Sequence, residues 1–233
     1  MTDAPPTTNA EAPAAAVICL QGGAEFGPRC RTMDAELVAL AAERRPGPVV
    51  IATLAGAPGR EYDIAGANGV RHFTGLGVGA DAMSAPDARS EPAAAESAWR
   101  SASLLVLPGG SPARLLTALR STGFDRLLSE LLDQGTVVMG ASAGAMVLCA
   151  RTWLPERGSV DDGLSLIPDT LVLPHWDPRR SAPKGIGDSV SVLGIPEQSG
   201  VLCVAGAPVR SMGAGPATVI AHDGSRRLLP ASD

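Results

Sequence analysis

The sequence has almost no lysine, little aromatic surface and no paired-cysteine motif. Lys184 is the single lysine, arginine supplies the remaining positive charge, and the net charge is −5. There is no basic stripe to neutralise phosphates, and three Phe, three Trp and one Tyr offer little to stack on bases, so nucleic acid is not an expected partner. Cys19, Cys30, Cys149 and Cys203 lie far apart without C-x-x-C spacing, which points to buried free thiols and away from a zinc or redox site. No metal and no cofactor are expected. No run approaches the roughly 18 consecutive apolar residues that a membrane helix needs, so no membrane contact is expected. The start, MTDAPPTTNAEAPAAA, lacks the charged n-region and apolar core of a secretory signal. A cytoplasmic protein is therefore expected, with residues 1–13 as a solvated tail and 14–233 as one domain. A homodimer is kept open as its assembly.

What is present is a chain rich enough in hydrophobic residues, at 45% against 18% charged, to bury a sizeable core. Short apolar runs alternate with helical patterns. AVICL stops at the glycines of QGG, MDAELVALAAERR has helical spacing, PVVIATLAG reads as a second strand, and GREYDIAGANGVRHF reads as a helix leading back to the sheet. Residues 93–100 are helical, SLLVLPGG is a third strand, ARLLTALRSTGFDRLLSELLDQ gives one or two amphipathic helices, and TVVMG is a further strand. Alternation of this kind predicts a doubly wound α/β fold, with a mostly parallel sheet covered by helices on both faces. From about Val201, short runs split by Gly and Pro predict an antiparallel meander at a sheet edge. In such sheets ligands gather at the carboxyl ends of the strands, which directs attention to the loops at Gly22, Ala55, Gly109 and Ser142.

One of those loops carries chemistry. TVVMGASAGAMVLCA joins a strand to a helix through Gly140, Ser142 and Gly144 in the G-x-S-x-G arrangement, where small neighbours let strand and helix pass closely behind an exposed hydroxyl. The backbone amide of Ala143, at the helix start, is a ready half of an oxyanion hole, and the strand end at Gly109 and Gly110 can complete it. A serine needs a base, usually a histidine oriented by a carboxylate. Of the three histidines, His72 is placed at a strand entrance and His222 in a late surface turn, while His175 in LVLPHWD follows an apolar strand downstream of the elbow and is the expected base. Spacing alone leaves Asp161, Asp162 and Asp177 as candidates for the carboxylate.

Taken in order, QGGAEF, LPGGSPARLLTAL, GASAGAMVL, GLSLIPDTLVLPHWDPR and VLGIPEQSGVLCV resemble the serine peptidases related to aspartyl dipeptidase (peptidase E) and cyanophycinase, within the class I glutamine amidotransferase-like folds. The resemblance spans most of the chain. It implies a Ser-His-Glu triad of Ser142, His175 and Glu197, an oxyanion hole at Gly110 and Ala143, and cleavage of a small peptide or isopeptide amide through an acyl-enzyme. Gly109, Ser111, Asp177 and Arg179 are the expected substrate-binding residues. Two departures lie near the substrate: Ser111 stands where relatives commonly have Asn or Asp, and RSAPKGIGDSV replaces a longer Arg-rich helical segment. A preference for aspartyl or β-aspartyl-arginine substrates therefore does not follow. Glutamine amidotransfer is a rival that would need a cysteine at the elbow, whereas Cys149 is expected seven positions further into the helix, facing the core. A non-catalytic binding or regulatory protein on the same scaffold is the other.

Overall fold

The computed structural model describes residues 15–179 and 181–231, so the tail expected over residues 1–13 lies outside the described residues. The first apolar run forms β1 (Val17–Gln21), buried throughout. It is followed by α1 (Arg31–Arg44), β2 (Val49–Ile51), α2 (Arg60–Thr74), β3 (Ala82–Ser84), α3 (Pro92–Ser101) and β4 (Leu104–Leu107). The next two helices, α4 (Pro112–Thr122) and α5 (Phe124–Asp133), are parted by Gly123, whose φ of 79° suits glycine and turns the chain. Ser111 caps α4 by accepting a hydrogen bond from the Arg114 amide at 3.2 Å, with Pro112 at the first helical position. Beyond them come β5 (Val137–Ala141), α6 (Ala143–Leu148), β6 (Cys149–Leu154), β7 (Ser159–Asp162) and β8 (Ile167–Leu173). The chain closes with β9 (Ser191–Gly194), β10 (Ser199–Val204), β11 (Ala207–Gly213), β12 (Thr218–Ile220) and β13 (Arg226–Leu228).

Seven strands form one sheet in the order β11-β10-β1-β5-β4-β2-β3. Its five strands from β1 to β3 run parallel, and β10 and β11 add an antiparallel edge beside β1. Alternation along each strand divides the core between its two faces. Ile18, Leu20, Val50, Leu105, Leu107 and Val138 pack with residues of α3, α4 and α5. Val17, Cys19, Val49, Ile51, Leu104 and Met139 pack instead with Met33, Leu37 and Ala41 of α1 and with Phe73 of α2. Helices thus cover both faces, and the carboxyl ends of β1, β2, β4 and β5 open on one edge.

The structure corrects the sequence reading at several points. A second sheet, β13-β12-β9-β8-β6-β7, takes up the later chain. The expected C-terminal meander is shared out: β10 and β11 do edge the first sheet, but β12 and β13 pair onto β9 in the second. The helix behind the elbow stops at Leu148, and Cys149 begins a strand instead of lying within a helix, although it is buried as expected. His72 belongs to the last turn of α2, not to a strand entrance. Only Val49–Ile51 of the second apolar run pairs as a strand, and β3 has no counterpart in the sequence reading. Among the described residues no helix is long and apolar enough to cross a membrane.

Candidate active site

Strand β5 ends at Ala141 and the chain turns sharply at Ser142, where φ is 48° and ψ is −108°. A non-glycine residue at positive φ is strained, and it persists only where its surroundings over-determine it. Here they do. The Ser142 amide donates to the Gln21 carbonyl at 2.9 Å, and the Ser142 carbonyl accepts the first helical bond from Met146 at 3.0 Å. A side chain on Gly144 would begin 2.0 Å from the Leu107 carbonyl oxygen, and one on Gly140 would begin 2.7 Å from the Ala145 amide nitrogen. Glycine at both places is what lets the elbow close.

His175 arrives from the other sheet. It follows β8 with φ of 51°, and its amide donates to the Gly22 carbonyl at 2.7 Å. The glycine-rich loop after β1 thereby holds the histidine's backbone, while Gly23, at φ 105°, leaves room for the ring: a Cβ there would sit 2.2 Å from His175 Cε1. That loop is clamped in turn by buried Gln21, whose Oε1 accepts from the Gly23 amide at 2.9 Å and whose Nε2 donates to the Gly23 carbonyl at 3.1 Å.

The result is a line of three side chains. Ser142 Oγ lies 3.2 Å from His175 Nε2, and His175 Nδ1 lies 2.9 Å from Glu197 Oε1. An ionised carboxylate only accepts, so the neutral ring keeps its proton on Nδ1 and turns the Nε2 lone pair toward the serine hydroxyl. Glu197 is the carboxylate on Nδ1. Its rivals are engaged elsewhere: Asp162 pairs with Arg151, Asp161 accepts from the Asp162 amide, and Asp177 pairs with Arg179 at 2.6 Å. His222 lies in an exposed turn, and His72 Nε2 sits 2.6 Å from Asp34 Oδ2 in a buried pair between α1 and α2.

The remaining candidates divide. Ala143 opens α6 and, as the first helical residue, has no intrahelical acceptor for its amide; among the described residues Gly110 has none either. Gly109 behaves differently, because its amide donates to Glu25 Oε1 at 2.7 Å. Glu25, half-buried in QGGAEF, is a residue of this site that the sequence reading did not single out. The Ser111 hydroxyl is committed to capping α4 and donates to Glu156 at 2.5 Å, and the Arg179 side chain is 90% exposed and turned onto Asp177.

All four cysteines are free and buried. Burial pushes the Cys30 thiol up to about 11 and raises Cys19, Cys149 and Cys203 as well, so none is a thiolate at neutral pH. We expect iodoacetamide at pH 7.5 to leave all four unmodified in the native protein and to label them on unfolding, read by intact mass. A thiol that reacts rapidly in the folded state would restore a cysteine nucleophile to consideration. Among the described residues no cluster of His, Cys, Asp and Glu is placed to hold a metal ion.

Comparison with known proteins finds peptidases. The profile of Peptidase family S51 matches residues 64–185, slightly more than half the chain, a span that includes Ser142 and His175 and ends before Glu197. Among solved structures, a peptidase from an acI-B1 Actinobacterium is 20% identical over 95% of this chain and 97% of its own, with a TM-score of 0.75. A putative peptidase E protein from Listeria monocytogenes EGD-e is 17% identical over 87% of this chain and all of its own, with a TM-score of 0.63. At such identities the likeness carries the fold alone. A search of curated protein sequences returns no match.

Proposed function

The chain belongs to peptidase family S51 and is a serine-type peptidase, and on that premise we propose that it cleaves a small peptide or isopeptide amide through an acyl-enzyme on Ser142. The observation that carries this reading is the bridging imidazole of His175, 3.2 Å from Ser142 Oγ on one side and 2.9 Å from Glu197 on the other. His175 takes the hydroxyl proton as Oγ attacks the amide carbonyl, then gives it to the departing amine. Water, deprotonated by the same ring, releases the acyl group. The amides of Ala143 and Gly110 receive the oxyanion of each tetrahedral intermediate, and loss of one such donor is worth roughly 100- to 1,000-fold in kcat.

A fluorophosphonate reagent tests the nucleophile directly: it should label wild-type protein at Ser142 and nowhere else, and absence of labelling would remove the proposal. Glu197→Gln measures the third member. Its side chain is 55% exposed, so water screens its charge and the loss should be modest for a triad carboxylate, roughly 100-fold in kcat. A loss below threefold would show that another group orients the ring.

A further inference from the structure

We propose that Glu25 selects the substrate: its carboxylate receives a cationic group, an ammonium or a guanidinium, next to the bond that Ser142 attacks. The location of that bond rests on the function proposed above; the binding of the cation does not.

Glu25 is fixed at the reacting centre. Its Oε1 accepts the Gly109 amide at 2.7 Å, and the space where a Gly109 side chain would begin lies 2.9 Å from that oxygen and 3.2 Å from Ser142 Cβ. Carboxylate and serine therefore flank one gap, at the end of β4 and the turn after β5. An ionised carboxylate offers about four acceptor positions, and Gly109 uses one.

No positive charge among the described residues takes the others. Among the described residues, no Lys, Arg or His lies within ion-pair distance of Glu25. Arg31 and Arg71 line a cavity of about 470 Å³ together with Glu25 and Phe26, yet each donates its hydrogen bond elsewhere. Arg31 donates to the Gly75 carbonyl at 2.7 Å and Arg71 to Asn68 at 3.1 Å, while His72 in the same wall is held by Asp34. A half-buried carboxylate without a counter-charge is unfavourable, and a substrate cation relieves it. The same charge disfavours an acidic group there. It also removes the Gly109 amide from the set that can meet an oxyanion, which leaves that task to Gly110 and Ala143.

The competing account is that Glu25 merely pins the loop at Gly109. Glu25→Gln separates the two, because the amide oxygen still accepts from Gly109 while the charge is gone. Full-length Ser142→Ala protein, with and without this change, is titrated calorimetrically with four peptides. Ala-Ala-amide carries only an α-ammonium and N-acetyl-Arg-Ala-amide only a guanidinium, whereas N-acetyl-Ala-Ala-amide is neutral and N-acetyl-Asp-Ala-amide is anionic. One of the two cationic peptides should bind about 10- to 100-fold tighter than the neutral one, the size expected of a charged hydrogen bond, and Glu25→Gln should abolish that advantage. Which of the two responds identifies the cation. Glu25→Lys should reverse the order in favour of the aspartyl peptide. An order unchanged by Glu25→Gln, or tightest binding of the aspartyl peptide to the Glu25 form, overturns the proposal. Fluorophosphonate labelling of the Glu25-containing wild type is scored separately. Its absence would sink Ser142 as nucleophile without altering how the binding order is read.

Discussion

Ser142→Ala should lower kcat by roughly 10⁵- to 10⁶-fold while leaving the fold as it is, because the serine hydroxyl is the group that forms the acyl bond and the imidazole has nothing to activate once it is gone. Stability should change by less than about 1 kcal/mol for a structural reason. Among the described residues the hydroxyl is hydrogen-bonded to His175 alone, and that ring is 46% exposed, so water replaces the missing partner. Alanine also accepts the strained turn as readily as serine does, since the strain lies in the backbone and is fixed by bonds to Gln21 and Met146. Turnover and fluorophosphonate labelling should vanish together, with the melting temperature shifted by only a few degrees. Turnover that survives the substitution would mean that the chemistry lies elsewhere in the molecule.

That the sharp turn at Ser142 is legible in the sequence follows from how locally its requirements are written. A strand, a glycine, a small residue, the nucleophile and another glycine occupy consecutive positions, and the close approach of Gly144 to Leu107 explains why they must. The buried strands β1, β4 and β5 were legible for the same reason, each being an unbroken apolar run closed by glycine. The unit from α6 to β6 was not. AMVLCA is apolar throughout, and periodicity cannot divide such a run into a six-residue helix and a strand. β3 escaped because it is a short, half-exposed edge strand without an apolar core of its own.

The second sheet was hidden for a different reason. β8 reads as a strand, but whether it pairs with β5 or with β6 and β9 is decided by tertiary packing, which no local pattern encodes. The histidine on its end could therefore be nominated but not brought to the elbow. Glu197 came from resemblance alone, since spacing offered Asp161, Asp162 and Asp177 and only the fold puts Glu197 on Nδ1. Glu25 left a fainter trace: an acidic side chain in a glycine-rich loop at a strand end, which sequence treats as solvated surface and the structure sets against Gly109.

Gly23→Ala should produce the second large effect, a fall in kcat of about 10³-fold in a protein that remains folded. The added methyl group would begin 2.2 Å from His175 Cε1 and 2.6 Å from Nε2, so one of the two must move. The loop is the stiffer partner, held by both polar atoms of buried Gln21 and by the Gln198 amide, which donates to the Gly23 carbonyl at 2.9 Å. The ring is the far end of a side chain that is nearly half exposed, and it swings toward solvent. Forcing alanine to φ near 105° adds a strain of roughly 1–3 kcal/mol, which a domain of ordinary stability survives. Catalysis does not survive it, because general-base assistance is worth roughly 100- to 10,000-fold and depends on Nε2 staying within hydrogen-bond reach of Oγ. Ser142 labelling should slow in parallel, with the denaturant midpoint lowered but the transition still cooperative. Wild-type turnover from this variant would show that the imidazole works from a position other than the one Gly23 makes room for.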